Sequence, residues 1–381
     1  MNSNTRHFNF QAIDMRKVLR IILNAYGLAL SAILAVPTLA WGLLVTLISK
    51  NSDFNLGCLS DDISPEYFKD KVVWITGASS GIGKAIALRL AQLSKESNVS
   101  VFLILTSRNA DQLNQIKDEI VEKYEFPESN VLVLDFDLGD LAAIDSNVDK
   151  AKNWKGQIHI LYNNAGIGQR AIIGGFESDE KVMMINSLGS MKISKQVLLK
   201  CFIPQRSGHL INTLSVQSYI VLPGRCAYGA SKRSCLSFFQ ALRKELKYIN
   251  WDEYLEYNFA GDKKESVSPA THLGNPNIIV TNIYPGHIQT DFDSRNVLYD
   301  GSLNTGIHKK KGMTAEQCSD LMIKATTNLL EEAWIAKGHE LLFLYLEYYS
   351  PSVADAIQSF VDQGFTDKIW EIQKSHLKKS S

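Results

Sequence analysis

The fold is decided by the stretch KVVWITGASSGIG at residues 71–83. Its first part, Lys71–Thr76, is rich in apolar and β-branched residues and predicts a buried strand, which an apolar helical face follows. Gly77, Gly81 and Gly83 lie at the junction, where glycine allows a sharp turn and the close approach of a phosphate. The amides and dipole of the helix N-terminus attract such an anion. The stretch therefore predicts a dinucleotide-binding turn, although its spacing GxxxGxG differs from the common GxGxxG.

Strands and helices alternate along the rest of the chain. The pattern predicts further strands at 101–106, 131–134, 158–163, 209–214, 278–284 and near 341–344, with helices at 111–122, 181–199, 227–246 and 315–330. Repeated strand–helix–strand units imply a parallel sheet covered on both faces, and right-handed crossovers make it doubly wound. We therefore expect an α/β fold with a doubly wound, Rossmann-like parallel sheet.

A single domain at 68–345 is expected to hold this sheet, after a linker at 49–67. An insertion of about twenty residues near 250–275 precedes the sixth strand, and long loops of this kind are either functional or disordered. A C-terminal helical extension with a basic tail is predicted at 346–381, because the apolar spacing after Pro351 fits an amphipathic helix.

Three side chains are candidates for chemistry beside the glycine turn. Tyr228 and Lys232 are four residues apart on a predicted helix, so both point to one face. Ser215 ends an apolar run that predicts a strand. A free phenol titrates at about pH 10, so a nearby ammonium is needed to make its proton labile. A hydroxyl, a phenol and an ammonium at such a turn can move a hydride and a proton between an alcohol and a carbonyl.

The residues after the second predicted strand indicate which cofactor is bound. An acidic residue there would hold the ribose hydroxyls of NAD, whereas an arginine accommodates the extra phosphate of NADP. The sequence has Thr106-Ser107-Arg108 with no carboxylate, and a guanidinium suits a phosphate. NADP(H) is therefore predicted, and NAD(H) is the alternative if Arg108 only faces solvent.

Four motifs together resemble the short-chain dehydrogenase/reductase family. They are TGASSGIG at 76–83, NNAG at 163–166, Ser215 with YGASK at 228–232, and PGHIQT at 285–290, in the order and at the spacing of that family. The resemblance covers about 68–345. The apolar N-terminus and the phrase FLYLEYYSP near the C-terminus are similar to the membrane-bound, hydroxysteroid-dehydrogenase-like branch.

The resemblance implies a role for each matching residue. In the catalytic set, Tyr228 would be the general acid/base, Lys232 would make its proton labile and hold the nicotinamide ribose, Ser215 would fix the substrate oxygen, and Asn186 would support a proton relay. The cofactor would be held by Gly77, Ser79, Ser80, Gly81, Ile82, Gly83, Arg108, Asp137, Asn164, Ala165, Gly166, Tyr228, Lys232, Pro285, Gly286, Ile288 and Thr290. Asp137 matches the acidic residue near the adenine, with Asp135 as the alternative in another register. Residues 287–312 would form a substrate lid.

The N-terminal part of the chain differs from the globular domain. Residues 18–48 carry a single charge, at Arg20, and about 20 apolar residues are enough to cross a bilayer. We therefore predict a membrane anchor at 18–48 after an N-terminal tail at 1–17. The anchor is either a transmembrane helix or, if Pro37 divides the segment, a membrane hairpin.

The side of the membrane on which the domain lies stays open. Basic residues before the anchor outnumber those after it, which favours a cytosolic N-terminus with the domain across the membrane. A hairpin would return the domain to the cytosol. Lys378 and Lys379 resemble a dilysine retrieval signal, which is read in the cytosol. We predict a membrane location in the endoplasmic reticulum.

Composition excludes other classes of function. Formal net charge is zero, so no basic surplus supports nucleic-acid binding, and five scattered cysteines show no metal-like spacing. Two hypotheses remain. One is an NADP(H)-dependent oxidoreductase that interconverts an alcohol and a carbonyl on a lipophilic substrate such as a steroid or retinoid. The other is a membrane-anchored binding or scaffold protein with the same fold, which the intact Asn, Ser, Tyr and Lys set disfavours. The resemblance also implies a homodimer.

Overall fold

The computed structural model describes residues 15–48, 51–173, 175–251, 253–254, 277–304 and 312–380. Most of the predicted insertion, residues 305–311 of the predicted lid and the beginning of the N-terminal tail lie outside these residues. The same is true of the side chains of Lys378 and Lys379.

The strands are β1 (Lys71–Thr76), β2 (Val101–Ser107), β3 (Val131–Asp135), β4 (Ile160–Asn163), β5 (Ser207–Thr213), β6 (Asn277–Pro285), β7 (Ile288–Gln289), β8 (Met313–Thr314) and β9 (Glu332–Ile335). Seven of them form a parallel sheet in the order β3-β2-β1-β4-β5-β6-β9, and β7 pairs with β8 separately. The order reverses between β1 and β4, which creates a crevice at the carboxyl ends of the strands. The predicted doubly wound α/β sheet is confirmed.

The helices are α1 (Met15–Ile48), α2 (Gly81–Ser97), α3 (Ala110–Tyr124), α4 (Leu141–Lys155), α5 (Phe176–Met183), α6 (Ser190–Val197), α7 (Cys226–Tyr248), α8 (Ala315–Thr327), α9 (Gly338–Tyr349) and α10 (Pro351–Ser380). Both faces of the sheet are covered because alternate strand residues point to opposite sides. Val73 and Ile75 join a core with residues of α2, α3 and α8, whereas Val72 and Trp74 join another with residues of α4, α6 and α7.

The prediction of a last strand at 341–344 is wrong. These residues lie in α9, and the last strand is the earlier β9. A short apolar run does not distinguish a buried strand from a buried helix. The helix forms because its N-terminus is capped, since Glu340 accepts a hydrogen bond from the backbone amide of Lys337 (3.1 Å). Leu341 and Leu344 are then buried.

Two other helices differ from the prediction. The helix expected at 181–199 is divided into α5 and α6 by a π-helical turn at Met184–Gly189. The sequence analysis missed α4 completely. The sequence contains a signal for its start, because aspartate is a favoured N-cap residue. In the structure the carboxylate of Asp140 accepts hydrogen bonds from the amides of Ala142 (3.0 Å) and Ala143 (3.3 Å).

The hairpin alternative for the N-terminal segment is also wrong, because α1 continues through Pro37. The hydroxyl of Thr38 donates to the carbonyl oxygen of Leu34 (2.7 Å), which adds a hydrogen bond close to the point where proline lacks an N–H. One side of α1 packs on α9, where Val45 is fully buried and Gly42 lies against Leu342. Of the helices in the described part of the chain, none is long and apolar enough to cross a membrane.

Candidate active site

The glycine turn joins β1 to α2 in the strand–turn–helix arrangement that the sequence predicts. Gly77 and Gly81 have φ angles of 69° and 56°, in the left-handed region that favours glycine. A Cβ atom at Gly83 would collide with the carbonyl oxygen of Gly77, and one at Gly77 would lie 2.9 Å from Cα of Ala165. Gly77 and Gly83 are therefore packed too closely for a side chain, and the turn leads directly into a helix N-terminus that suits an anion.

A threonine before the turn joins it to the neighbouring strands. Thr76 Oγ1 accepts hydrogen bonds from the backbone amides of Asn164 (2.9 Å) and Ala165 (3.0 Å), and Asn164 Nδ2 donates to the Thr76 carbonyl oxygen (3.0 Å). The hydroxyl of Thr213 donates to Asn164 Oδ1 (3.2 Å). The ends of β1, β4 and β5 are thereby fixed to one another. The sequence analysis missed Thr76 and Thr213, although Thr76 begins the glycine motif itself.

The hydroxyl, the phenol and the ammonium come together at the start of α7. Ser215, Tyr228 and Lys232 are only 5–6% exposed, yet all three line one cavity. Lys232 Nζ donates to the carbonyl oxygen of Thr213 (2.8 Å) and lies 5.9 Å from the ring centroid of Tyr228. Ser215 Oγ accepts from the amide of Gln217 (3.1 Å), so its own proton remains for another acceptor.

Asn186 lies in the π-helical turn at Met184–Gly189, a kind of turn that is frequent at functional sites. Its Oδ1 accepts from the backbone amide of Ile167 (2.8 Å) and its Nδ2 donates to the carbonyl oxygen of the same residue (2.8 Å). A Cβ atom at Gly166 would lie 3.2 Å from Asn186 Oδ1 and 3.6 Å from Lys232 Nζ. Asn186 therefore holds the end of the NNAG segment beside the ammonium.

The N-terminus of α7 is held by Gln169, which the sequence analysis missed. Gln169 Oε1 accepts from the backbone amides of Ala227 (2.8 Å) and Tyr228 (3.2 Å), and its Nε2 donates to Asp179 Oδ1 (2.6 Å). The side chain is 1% exposed, so it fixes the backbone at Tyr228 against α5. No motif signals this contact, because residues 58 positions apart form it.

The segment after β6 closes the opposite side of the crevice. The amide of Gly286 donates to the carbonyl oxygen at the end of β9 (2.8 Å), and that of His287 donates to Glu340 Oε1 (2.9 Å). A Cβ atom at Gly81 would lie 3.1 Å from Cγ2 of Thr290. The segment thus joins the glycine turn to β9 and α9.

Part of the predicted lid at 287–312 borders the same cavity. Phe292, Arg295 and Leu303 line it, and the ring centroid of Phe292 lies 5.8 Å from that of Tyr228. Arg295 Nη1 donates to the hydroxyl of Ser80 (3.4 Å), which connects the lid to the glycine turn. The lid therefore spans both the phenol and the turn.

The cavity has a volume of about 950 Å³ and collects most of the predicted site. The predicted residues that line it are Gly77, Ser79, Ser80, Gly81, Ile82, Arg108, Asp137, Asn164, Ala165, Gly166, Ser215, Tyr228, Lys232, Pro285, Gly286, Ile288 and Thr290. Gly83 and Asn186 are not part of the lining and support it from behind. Within the described ranges, no three His, Cys, Asp or Glu side chains are arranged to hold a metal ion.

Arg108 and Asp137 lie at the β2–β3 end of the cavity. Arg108 Nη1 is 3.6 Å from Asp137 Oδ2, and the two side chains are 50% and 42% exposed. Asp137 Oδ1 accepts from the amide of Gly139 (2.8 Å). Asp135, the alternative to Asp137, ends β3 and does not line the cavity. An exposed ion pair of this kind is held weakly, so Arg108 is able to turn to another anion.

The chain is similar in sequence to known proteins. A family model described as short chain dehydrogenase matches residues 71–250. Dehydrogenase/reductase SDR family member 7 of Homo sapiens is 31% identical over 295 residues, which are 76% of this chain and 77% of that protein. Dehydrogenase/reductase SDR family member 7B of Xenopus laevis is 27% identical over 349 residues, which are 89% of this chain and 97% of that protein.

Solved structures are similar in fold. An alcohol dehydrogenase from the archaeon Thermococcus sibiricus, complexed with 5-hydroxy-NADP, superposes with a TM-score of 0.52 at 22% identity, and the match covers 70% of this chain and 96% of the other. Levodione reductase gives a TM-score of 0.53 at 22% identity, covering 72% of this chain and 98% of the other. At this identity the likeness concerns the fold alone.

Proposed function

Because this chain belongs to the short-chain dehydrogenase/reductase family, we propose that it is an NADP(H)-dependent oxidoreductase that interconverts an alcohol and a carbonyl on a lipophilic substrate, such as a steroid or retinoid. The observation that carries the proposal is the convergence of Ser215, Tyr228 and Lys232 on a cavity whose other end is the glycine turn. One fold serves many functions, so these side chains, rather than the fold, support the chemistry.

The residues of the turn fit a dinucleotide. Gly77 and Gly83 leave no room for a side chain, and Ser79, Ser80 and Ile82 at the start of α2 line the cavity. A backbone this close to the cavity and a helix N-terminus are the features that hold a pyrophosphate. Bound NADP(H) supplies or accepts the hydride.

The side chains at α7 handle the proton and the substrate oxygen. In the reductive direction Tyr228 donates its phenolic proton to the carbonyl oxygen, and the positive charge of Lys232 favours its release. The hydroxyl of Ser215 donates a hydrogen bond to the same oxygen and stabilises the charge that builds there. Asn186 keeps the NNAG segment beside Lys232 and supports the path by which the proton is replaced.

The preference for NADP(H) rests on Arg108. It lines the cavity at the end of β2, where the adenosine ribose lies in dinucleotide-binding folds, and no carboxylate follows β2 at that point. Its ion-pair partner Asp137 is half-exposed, so breaking that pair to bind a phosphate costs little.

A lipophilic substrate and a membrane location are supported by α1 and α9. Residues 21–48 carry no charge, and apolar side chains of α1 such as Leu23, Val36 and Leu47 are exposed. On α9, Leu342 faces Gly42 of α1 while the next residue, Phe343, lines the cavity. One helix thus separates the apolar α1 from the site. We propose that α1 attaches the protein to the membrane of the endoplasmic reticulum, where such substrates partition.

The activity is tested by NADPH oxidation with the full-length protein in detergent. A panel of lipophilic ketones is supplied, and the fall of NADPH absorbance gives the rate. Tyr228→Phe is the matched control, and loss of general acid catalysis should lower turnover by about 10²–10⁴-fold while NADPH binding persists. Binding of NADPH without turnover of any ketone would favour the scaffold hypothesis, and equal rates for both proteins would remove Tyr228 from the mechanism.

Membrane attachment is tested by alkaline extraction of membranes from cells that express the chain. We expect the full chain to stay in the pellet and a chain that begins at Asn51 to be released. Release of both would contradict the role of α1.

A further inference from the structure

The cavity extends beyond the family motifs to the C-terminal helix. Gln358 and Asp362 of α10 line it, together with Phe343 of α9. These residues follow the last strand and belong to none of the four motifs. The C-terminal extension is therefore part of the cavity wall.

Three contacts hold α10 against segments that precede α7, the helix of Tyr228 and Lys232. Gln358 Nε2 donates to the carbonyl oxygen of Val221. Gln373 Oε1 accepts from the backbone amide of Ile172 (3.2 Å). Ile369 is 3% exposed and packs at Gly224, where a Cβ atom would collide with it. A wall fixed at three points along its length has a defined position.

These contacts place α10 in the substrate half of the cavity. The glycine turn and Arg108 occupy the side of β1–β3, whereas α10 contacts the segments that lead into Tyr228 from the other side. Arg225, which follows the α10 contact at Gly224, has its guanidinium 5.7 Å from the ring centroid of Tyr228. The wall therefore faces the part of a substrate that extends away from the nicotinamide.

This half of the cavity has an apolar surface that also carries acidic and basic side chains. Ile220, Leu222 and Phe343 are apolar, whereas Asp362 and Arg225 are charged. Because Asp362 and Arg225 have opposite charges, the pair gives no net preference for a cationic or an anionic substrate group. A neutral hydroxyl group on an apolar skeleton fits the apolar surface and is able to donate a hydrogen bond to the carboxylate.

Asp362 offers the acceptor that such a hydroxyl needs. Its Oδ1 is buried and has no hydrogen-bond partner in the described part of the chain. Gln358, one turn earlier on the same side of α10, makes a hydrogen bond with the Asp362 side chain, so Oδ1 is the carboxylate oxygen left for a ligand. A buried acceptor without a donor is unfavourable, and a ligand hydroxyl removes that deficit.

We propose that α10 forms a wall of the substrate site, where Asp362 and Gln358 bind a hydroxyl group at the end of a lipophilic substrate remote from the reacting carbonyl. The proposal rests on the proposed function for the identity of the reacting end, and it makes Asp362 a specificity-determining residue.

The experiment measures binding of two probes to the full-length protein with NADP⁺ present. One probe is a ketosteroid with a hydroxyl on the ring farthest from the ketone, and the other is the same ketosteroid without that hydroxyl. Asp362→Ala should raise the Kd of the hydroxylated probe about tenfold and leave that of the other unchanged, because only one probe loses a charge-assisted hydrogen bond. The control is Asp367→Ala, an exposed aspartate on the same helix, which should change neither Kd.

NADP⁺ affinity shows whether each variant is folded, and Gln358→Ala provides a second test with a smaller loss of the same kind. Equal affinity of the native protein for the two probes, no binding of either, or the same loss for both in Asp362→Ala would overturn the proposal. Turnover is recorded in parallel. If the binding contrast is present but NADPH is never oxidised, the proposed function fails and the wall stands.

Discussion

At the amino edge of the sheet Tyr67, His209 and Thr281 form a closed chain of hydrogen bonds, whereas at the carboxyl edge Ser215 and Tyr228 line an open cavity. Tyr67 Oη lies 2.7 Å from His209 Nδ1, and His209 Nε2 lies 2.8 Å from Thr281 Oγ1. Thr281 donates to a backbone carbonyl oxygen (2.6 Å), so Nε2 carries the proton and Nδ1 accepts from the tyrosine.

Tyr67 and His209 in this closed chain have shifted pKa values, although the chain is not a ligand-binding site. Burial raises the pKa of Tyr67 to about 12 and lowers the pKa of His209 to about 3. Perturbed groups often mark functional sites, but here each polar side-chain atom has a protein partner, and none of the three residues lines the cavity of the candidate active site. The comparison teaches that an opening to ligand, rather than burial or a shifted pKa, distinguishes the carboxyl edge.

The strongest test of the comparison is to remove one lysine from each edge. Lys232→Met should lower turnover by about 10²–10⁴-fold, because it removes the charge that assists proton transfer. Lys71→Met is the matched control, since Lys71 Nζ lies 3.6 Å from the ring centroid of Tyr67 at the closed edge. It should keep its turnover. NADPH oxidation at saturating substrate measures both, and an inactive Lys71→Met or an active Lys232→Met would remove the distinction between the edges.

Two glycines allow the same comparison with the backbone. Gly83→Ala should raise the Kd of NADPH by at least about tenfold, because the new Cβ would push against the carbonyl oxygen of Gly77 and distort the turn. Gly208→Ala, near the amino edge, would push against the ring of Phe202 and should instead lower the free energy of unfolding by about 1–3 kcal/mol.

Fluorescence titration with NADPH and urea unfolding separate the two outcomes. A raised Kd for NADPH in Gly208→Ala, with the free energy of unfolding unchanged, would mean that the amino edge influences cofactor binding.

The turn and the phenol are predictable from sequence because their geometry is local. Gly77 and Gly83 are close in sequence and in space, and both are required by the same connection between β1 and α2. Tyr228 and Lys232 share a face through helix periodicity alone. Gln169 is different. It is one polar residue in a loop, and its contact to α7 depends on how two distant segments pack. The sequence contains no period or motif for such a contact.

The same reasoning explains the mistake at α9. The apolar residues from Leu341 to Leu346 satisfy a strand or a helix equally, and the N-terminal cap at Glu340 together with packing against α1 favours the helix. The helix after Pro351 was likewise predictable from the sequence. Its place in the cavity wall was not, because Asp362 reaches the cavity only through tertiary packing.

A smaller effect is expected from acid at the closed edge. His209 has a folded pKa of about 3, below its unfolded value of about 6.5, so the unfolded state binds an additional proton between these values. Stability should therefore fall as pH decreases through this window, by about 2 kcal/mol from pH 7 to pH 5. Urea unfolding of the native protein and His209→Gln at both pH values measures the contribution as the difference in pH dependence. Equal dependence in the two proteins would mean that His209 has the same pKa in the folded and the unfolded state.

The smallest effect concerns the exposed end of the cavity, where Arg108 is half in solvent. Arg108→Ala should weaken NADP⁺ relative to NAD⁺ by about fivefold, since an exposed charge contact contributes little. Lys117→Ala removes the same charge from α3, where the lysine pairs with Glu128 away from the cavity, and should leave the ratio unchanged. The ratio of kcat/KM for the two cofactors measures both. The two variants lose the same net charge. If the ratio of NADP⁺ to NAD⁺ efficiency falls in both, the preference for NADP⁺ comes from the overall electrostatic potential of the protein rather than from a contact between Arg108 and a phosphate.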